Sequence, residues 1–279
     1  MWYAAVDLNW HLARWYAWLY GRVKDATGAN LRGLGWLQWR VRREHVFQLA
    51  GQQMLFEPSV AGCYGRLLAG EFNELATYEF LLRAIDAAPA DVTFLEVGAN
   101  VGEFLIPIAA QPRVRRAIGY EPQLACAAVC ARSAQLNHLP NVEIRTSLVG
   151  NGSVQLFLID EKNPNASAIG SGEPMHTVCI DDDVPDLAAP LVMLIDVEGA
   201  EPLVLEGARE TVARLLPLIV FEYNYVSRRH YQIQDISALL GSRYKIFRLR
   251  GDGTLDMQLE QSWNCVAIPA NTSFEVLCA

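Results

Sequence analysis

The sequence predicts an α/β fold in which a mostly parallel sheet carries helices on both faces. From residue 92 onward, short apolar segments alternate with helix-like segments, which is the pattern of parallel strands joined by crossover helices. The segment Leu191–Ile195 is apolar at every position, as expected for a strand buried on both faces. Segments 244–249 and 264–268, joined by a region with a Gly-Asp-Gly turn, predict a closing antiparallel hairpin. A helical, aromatic-rich extension precedes the sheet.

The predicted elements follow one another along the chain with short connections. A helix over 74–87 is expected before the first strand of the sheet, because apolar residues recur there at helical spacing. Pro107 lies about one turn into another predicted helix, so a distorted or late start is expected there. The predicted strands are 92–97, 117–121, 142–147, 154–159, 176–180, 191–195 and 218–221, and the later helices are 102–110, 124–136, 202–215 and 233–240.

The charge of the chain is unevenly distributed. The net charge of −8 argues against nucleic acid as the main partner. Residues 1–50 nevertheless carry +4, together with a cluster of tryptophans and tyrosines over 2–20. This segment predicts an amphipathic helix with Val6, Trp10, Ala13 and Ala17 on one face. The helix is expected to form a cap on the main domain or a homodimer contact. The alternative is an interfacial helix that contacts an anionic membrane or a lipid-linked substrate.

The cysteine spacing and the hydropathy predict a cytoplasmic protein with reduced thiols. Six cysteines are scattered without CxxC or zinc-ligand spacing, which favours reduced, structural thiols in a cytoplasmic protein. Asp7, His11 and Arg14 interrupt the early apolar stretch, so no secretory signal is expected. No apolar run reaches 18 residues, so no membrane span is expected. Peripheral binding at the inner face of the membrane is the alternative to a purely cytoplasmic protein.

The segment 94–102, with the sequence FLEVGANVG, predicts a buried strand that ends in a glycine loop before a helix. Ligands of open α/β sheets bind at the carboxyl ends of such strands, and glycine allows them to approach the backbone. The spacing departs from the dinucleotide Gly-x-Gly-x-x-Gly pattern, because Phe104 occupies the third glycine position. Glu121 ends the next strand, where a carboxylate can accept hydrogen bonds from both ribose hydroxyls. Together these features favour S-adenosylmethionine (SAM) over NAD.

Several stretches resemble the FkbM-type methyltransferases. The most specific is MLIDVEGAEPLVLEGA at 193–208, followed by LEVGANVGEF at 95–104. The similarity extends over roughly residues 70–225. Supporting matches are GEFNELATYEFL (70–81), YEP (120–122), Asn137 and PLIVFEYN (217–224).

The resemblance implies a class I, Rossmann-like, SAM-dependent methyltransferase, with residues 1–70 as an N-terminal helical cap and 71–279 as the catalytic domain. Members of this family mostly methylate hydroxyl groups of sugars, glycans or natural products. The loop 96–102 would hold the methionine part of SAM, and Thr146 and Ser147 would flank the adenine. The implied cofactor-binding residues are Glu74, Glu96, Val97, Gly98, Ala99, Asn100, Gly102, Glu121, Pro122, Thr146, Ser147 and Asp196.

The candidate catalytic residues are Asp196, Glu198 and His176. A hydroxyl acceptor benefits from a base that takes its proton, and carboxylates at strand ends are the available groups. Asp196 is the first choice, Glu198 the second, and His176 follows a polar loop that could reach the site. No metal site is predicted, although the close spacing of Asp196 and Glu198 could hold a divalent cation.

Two departures from the family pattern affect the predicted site. Leu194 stands where the family often has lysine, which removes a charge partner for a site carboxylate. Glu96 stands where the family often has aspartate, which keeps the charge and changes only the reach. A segment rich in tyrosine and arginine over 223–231 could form the acceptor pocket, because aromatic faces and arginine suit sugars.

Two other functions remain open at this point. One is an NAD-dependent oxidoreductase, against which the missing third glycine counts. The other is a SAM-binding protein without catalysis that docks through its N-terminal arm. The sequence leaves the acceptor open between a small molecule, a sugar and a glycan.

Overall fold

The structure is a computed structural model, and it describes residues 7–29, 31–158, 168–169 and 172–278. Its helices and strands alternate in the order expected of a parallel α/β sheet. The helices are α1 (Leu8–Thr27), α2 (Leu34–Gln38), α3 (Leu75–Ala87), α4 (Leu105–Ala109), α5 (Leu124–Leu136), α6 (Ile180–Asp183), α7 (Glu201–Glu206), α8 (Arg209–Leu215) and α9 (Ile233–Leu240).

The strands form three sheets. They are β1 (His45–Leu49), β2 (Gln52–Phe56), β3 (Val92–Val97), β4 (Val114–Tyr120), β5 (Val142–Arg145), β6 (Val154–Leu158), β7 (Ala168–Ile169), β8 (Glu173–His176), β9 (Leu191–Ile195), β10 (Leu218–Glu222), β11 (Tyr244–Leu249), β12 (Leu255–Asp256) and β13 (Asn264–Pro269). The main sheet has eight strands in the order β12-β11-β13-β10-β9-β3-β4-β5. The small sheets are the hairpin β1-β2 and the three strands β7-β6-β8.

The main sheet confirms the predicted fold class. Strands β5, β4, β3, β9 and β10 run parallel, and β13, β11 and β12 add antiparallel pairs at one end. The closing hairpin β11-β13 extends the sheet beyond β10, and its second strand, β13, is the one that pairs with β10. Apolar clusters cover both faces: α3, α4 and α5 pack on one face, and α7, α8 and α9 on the other.

The N-terminal segment packs on the same core as α3 to α5. In α1, Trp10, Ala13 and Ala17 are buried, which confirms the predicted buried face of this helix; Val6 lies outside the residues that the structure describes. The segment is not only helical, because β1 and β2 form a hairpin that lies on α5. Backbone N–H of Leu55 donates to Ser133 Oγ at 3.1 Å, and that of Gln53 donates to Asn137 Oδ1 at 2.8 Å. No described helix is long and apolar enough to cross a membrane.

Two predicted helices differ in extent from the observed ones. The helix expected over 102–110 is confined to α4, because the chain from 101 to 104 forms turns before Leu105. The helix expected over 202–215 is divided into α7 and α8. The carbonyl of Gly207 accepts a hydrogen bond from the backbone N–H of Asp181, at 3.0 Å. The Asp181 carboxylate then caps α8 by accepting from the backbone N–H groups of Glu210 and Thr211, both at 2.8 Å.

The strand predicted over 176–180 is shifted toward the N-terminus. Strand β8 covers Glu173–His176, and Ile180 instead begins α6. The predicted strand over 154–159 is observed as β6, and its last residue, Ile159, lies outside the described residues. Most of the predicted polar loop over 163–173 is also outside them.

Candidate active site

A cavity of about 340 Å³ lies where the parallel strands β3, β4, β9 and β10 end. Much of its wall comes from residues at or just after the ends of three of these strands: Val97–Asn100 at the end of β3, Glu121–Gln123 after β4, and Asp196–Glu198 after β9. Because neighbouring parallel strands end at one edge of the sheet, residues distant in sequence meet there. The volume falls within the range of about 300–1,000 Å³ that is usual for small-molecule sites.

The glycines of the loop are required by neighbouring chain segments. Gly98 has φ of +93°, and a Cβ atom there would lie 1.9 Å from the carbonyl oxygen of Asp196. Gly102 has φ of +88°, and its Cβ would lie 2.7 Å from Cys130 Sγ, on the side of α5. Gly98 lines the cavity and Gly102 does not. Packing against α5 is sufficient to explain this glycine, and its predicted contact with a cofactor stays a prediction.

Glu121 fixes the loops after β3 and β4 to each other. Its Oε2 accepts a hydrogen bond from the backbone N–H of Asn100, and its Oε1 accepts one from that of Gln123, both at 2.9 Å. The side chain is 5% exposed. Each carboxylate oxygen has two lone pairs, so each can still accept one more hydrogen bond from a ligand.

The lining of the cavity is strongly acidic. It contains seven carboxyl side chains and, among the residues that the structure describes, no lysine, arginine or histidine. Such a lining favours a positively charged ligand over an anionic one. The carboxyl groups are those of Glu74, Glu96, Glu103, Glu121, Asp196, Glu198 and Glu222.

Burial shifts the pKa values of these groups upward. It raises the pKa of Glu96 well above its usual value, and neighbouring carboxyl groups add to the effect, first that of Asp196. Burial raises the pKa of Glu103 to about 7. Burial and the nearby Asp196 raise the pKa of Glu222 to about 12. Burial also raises the pKa of Glu121, against the effect of its two backbone N–H donors.

The turn after β9 directs Glu198 into the cavity. Glu198 has φ of +52°, an uncommon conformation for a residue with a side chain. Glu201, which is fully buried, holds the turn: its Oε1 accepts from the backbone N–H of Val197 at 3.2 Å and of Gly199 at 3.3 Å. Strained backbone that is fixed in this way is common at functional sites. Burial, followed by the charge of Glu74, raises the pKa of Glu198 to about 7.

The rim of the cavity joins the start of α3 to the start of β13. Trp263 Nε1 donates to Glu74 Oε1 at 2.6 Å, and the Asn264 amide donates to the other oxygen of the same carboxylate. Trp263 is 51% exposed, and its ring centroid lies 6.5 Å from that of the exposed Tyr225. Asn73, Glu74 and Trp263 also line a second, more open cavity toward α1 and α2.

The structure brings together most, but not all, of the predicted site residues. His176 lies on β8 with an exposed side chain and does not line the cavity, and Thr146 is exposed outside it. The strand shift at β8 explains the first difference, and the end of β5 at Arg145 explains the second. The predicted residues that do line it are Glu74, Glu96, Val97, Gly98, Ala99, Asn100, Glu121, Pro122, Ser147, Asp196 and Glu198.

Sequence reasoning missed the part of the lining that comes from outside the strand ends. Phe157 reaches the cavity from the sheet β7-β6-β8, and Cys63 reaches it from the N-terminal segment. Glu103 lies one residue past the loop and holds Asn73 by accepting from its backbone N–H at 2.7 Å. Only Glu103 and Phe104 carried a local signal, because they directly follow the glycine loop.

Much of the tyrosine and arginine segment over 223–231 packs around β10. Tyr223 and Tyr231 are buried, and the Tyr231 hydroxyl donates to the backbone carbonyl of Glu222 at 2.6 Å. Arg228 donates to backbone carbonyls, including that of Ser262 at 2.9 Å. Tyr225 lies near the rim, and the Arg229 guanidinium is 5.6 Å from its ring centroid. The predicted acceptor pocket in this segment stays a prediction.

No family model and no curated protein matches the sequence. Solved structures similar to it include an FkbM methyltransferase from Methylobacillus flagellatus KT, which is 17% identical with a TM-score of 0.43. That match covers 63% of this chain and 42% of the other, so this chain spans less than half of that protein.

Two further similar structures cover more of the chain. TYW2 from M. jannaschii, in complex with AdoMet, is 14% identical with a TM-score of 0.43, over 86% of this chain and 87% of the other. A SAM-dependent methyltransferase from Aquifex aeolicus is 14% identical with a TM-score of 0.39, over 70% and 89%. At these identities the likeness concerns the fold, so the chemistry must be argued from the residues of the cavity.

Proposed function

We propose that this protein is a SAM-dependent methyltransferase that methylates a hydroxyl group on a sugar, glycan or natural product. The observation that carries the proposal is the acidic cavity at the strand ends, in which Glu121 is held by two backbone N–H groups. A sulfonium cofactor with an ammonium group is cationic at both positions, which suits a lining of carboxyl groups without basic side chains. The resemblance of segments 95–104 and 193–208 to FkbM-type methyltransferases supports the same function.

The residues present fit this cofactor. Glu121 would accept hydrogen bonds from the ribose hydroxyls, and the loop after β3 would hold the methionine part. Glu96 is 2% exposed, and its Oε2 has no hydrogen-bond partner among the described residues, so a ligand ammonium could provide one. Ser147 and Phe157 line the cavity where the adenine would be flanked.

The reaction needs alignment more than activation by the protein. SAM supplies a methyl group that is already activated on sulfur, for in-line transfer to the acceptor oxygen. The protein orients the acceptor and excludes water. The carboxyl groups of Asp196 and Glu198 lie at the end of β9 beside the loop, where the acceptor hydroxyl would lose its proton.

An NAD-dependent oxidoreductase fits the cavity less well. Phe104 occupies the third glycine position, and its side chain lines the cavity where a pyrophosphate would need close access to the backbone. Among the described residues, the lining also offers no basic side chain to offset the two negative charges of a pyrophosphate.

The first test is calorimetric titration of SAM into the wild type and into Glu121→Ala. Losing charge-assisted hydrogen bonds to two ribose hydroxyls is expected to weaken binding by about 2–4 kcal/mol, which is tens- to hundreds-fold. Glu79→Ala, on the exposed side of α3, removes the same charge away from the cavity and is expected to bind SAM normally. Binding of NAD in place of SAM would overturn the proposal.

Transfer itself is tested with isotope-labelled SAM and a panel of sugar, glycan and small-molecule alcohols. Label in a base-stable methyl ether is the expected result. SAM binding without transfer to any hydroxyl of the panel, together with transfer to an amine, would contradict the O-methyltransferase assignment.

A second candidate function is docking on an anionic membrane surface through α1. The face of α1 opposite its buried side exposes Leu8, Leu12, Trp15 and Trp18, at 42–65%. Arg40 lies 3.7 Å from the ring centroid of Trp36, which is also exposed, so basic and aromatic groups occur together. Aromatic and basic side chains on one helical surface suit the interface of an anionic bilayer.

A further inference from the structure

We propose that Asp196, Glu198 and Glu222 bind one divalent cation that prefers oxygen ligands, of the Mg²⁺ or Mn²⁺ class. The role of this ion in transfer rests on the proposed function: it would bind the acceptor hydroxyl and lower its pKa. The ion-binding itself is a property of the three carboxylates and can be tested without cofactor or acceptor.

The three carboxylates have the spacing of a common ligand set. One oxygen of each lies within 4.8 Å of the others. Two oxygens that bind the same hard cation lie no more than about 5 Å apart, because each is 2.0–2.6 Å from the ion. The backbone explains the proximity of two of them. Ile195 of β9 pairs in register with Phe221 of β10, so the residues that follow these two, Asp196 and Glu222, lie side by side at the ends of neighbouring strands.

The environment of Glu222 gives an independent indication of a missing ligand. Its side chain is 4% exposed and lines the cavity. Oε1 accepts a hydrogen bond from the Asn224 amide, whereas Oε2 has no partner among the described residues. Asn224 is itself held, because its Oδ1 accepts from the backbone N–H of Val226 at 2.6 Å and of Ser227 at 3.1 Å. One oxygen of Glu222 is thus fixed in place, and the other is left for a ligand.

The cluster also lacks a counter-charge from the protein. Glu74, Asp196 and Glu198 line the same cavity as Glu222, and among the described residues no lysine, arginine or histidine lines it. Placing several carboxyl groups together in a buried site is unfavourable unless protons or a cation offset their charges. A divalent cation held by the three carboxylates would supply that counter-charge.

The proposed chemistry balances without a further reactant. The acceptor oxygen forms a bond to the methyl carbon, and the carbon–sulfur bond breaks with its electron pair remaining on sulfur. The ion beside the hydroxyl oxygen makes the hydroxyl more acidic, and the hydroxyl proton is released to bulk water. The three carboxylates then act as ligands that position the ion, and none of them has to serve as the proton acceptor.

The test is titration of Mn²⁺ into the metal-free, cofactor-free protein, followed by the electron paramagnetic resonance signal of free Mn²⁺. We expect one bound Mn²⁺ per chain, displaced by Mg²⁺, with binding weakened at least tenfold in Asp196→Asn and in Glu222→Gln. Glu79→Gln is the control, because it removes a carboxylate on the exposed side of α3, outside the cavity, and it should bind Mn²⁺ as the wild type does. Circular dichroism confirms that each variant is folded.

The outcomes separate this proposal from the proposed function. Absence of Mn²⁺ binding, or binding that Glu222→Gln and Asp196→Asn leave unchanged, overturns the ion site. Methyl transfer that continues in excess EDTA overturns the role of the ion but supports the methyltransferase. Mn²⁺ binding at the three carboxylates in a protein that does not bind SAM supports the ion site and overturns the proposed function.

Discussion

Gly98 shows how little space separates the ends of β3 and β9. Replacing it with alanine places a Cβ atom 1.9 Å from the Asp196 carbonyl oxygen and requires φ near +93°. We expect Gly98→Ala to lower the free energy of unfolding by about 3–5 kcal/mol and to impair cofactor binding. Gly28→Ala is the control: φ is +71°, but no atom lies within 4 Å, so a loss of about 1–2 kcal/mol is expected. Urea unfolding of both variants measures the difference, and equal losses would contradict the contact.

Leu194 lies directly beside Glu96 in the sheet, in register across β3 and β9. Both residues are buried, at 2% exposure each. The lysine that resembling proteins often carry at this position would therefore face Glu96, which here has no such partner. The pairing identifies Glu96 as the carboxyl group that a lysine at position 194 would have as its partner.

A double-mutant cycle tests the pairing of residues 194 and 96. We expect Leu194→Lys to be tolerated better with Glu96 present than in the background of Glu96→Gln, because a buried ammonium needs a carboxylate partner. The expected coupling in urea unfolding is about 1–3 kcal/mol. Leu194→Met, which is close in volume and uncharged, should show no coupling with Glu96→Gln.

At the scale of elements, α1 has two apolar faces, of which one is buried against the rest of the described chain and the other is exposed. One face, with Trp10, Ala13 and Ala17, is buried, and the opposite face exposes Trp15 and Trp18. We expect the double variant Trp15→Ser/Trp18→Ser to lose most binding to anionic phosphatidylglycerol vesicles in a sedimentation assay. Met257→Ser changes an apolar residue that is more exposed than either tryptophan and lies outside α1, and it should leave binding unchanged. Wild-type protein that fails to sediment with these vesicles would remove docking as a candidate.

The sequence predicted best the elements whose formation depends on local pattern. Strands β3 and β9 and helices α5 and α9 match their predicted bounds, because an apolar run or a helical repeat is sufficient to define each. The division between α7 and α8 could not be predicted, since it depends on Asp181, which precedes the division by more than twenty residues. The hairpin β1-β2 was missed for the same reason: its hydrogen bonds to α5 are long-range.

Site residues, like helices and strands, could be predicted only where a local sequence pattern defines them. Residues at strand ends, such as Glu121 and Asp196, could be placed because parallel strands end together. Phe157 reaches the cavity from the sheet β7-β6-β8, and Trp263 reaches it from the residue before β13. The sequence analysis predicted neither contact. His176 was misplaced because the strand that carries it begins and ends earlier than its pattern indicates.

At the scale of the whole molecule, buried acids make stability depend on pH. Glu103 and Glu201 each have a pKa raised by burial to about 7, from 4.5 for the exposed group. Between these values the folded protein binds more protons than the unfolded chain, so the stability of the metal-free, cofactor-free protein should fall as pH rises from about 4.5 to about 7.5. Each group contributes at most about 3 kcal/mol, at 1.36 kcal/mol per pKa unit.

Glu201→Gln isolates one of these contributions. Its side-chain oxygen can still accept from the backbone N–H groups of Val197 and Gly199, but it no longer titrates. Thermal unfolding from pH 5 to pH 8 at constant ionic strength should therefore show a shallower fall in Tm for the variant than for the wild type. Parallel curves would show that Glu201 does not titrate in this range.

The position of β13 has a consequence for how the chain is synthesised. Strand β13 is translated after β11 but lies between β10 and β11. Until Pro269 has emerged from the ribosome, the two partners of β13 have unpaired edges, which are prone to associate with other chains. Trp263 and Asn264, which hold Glu74 at the rim, arrive with the same strand. The cavity is therefore complete only after β13 has paired with β10 and β11. A ligand that binds there cannot stabilise the earlier folding intermediates.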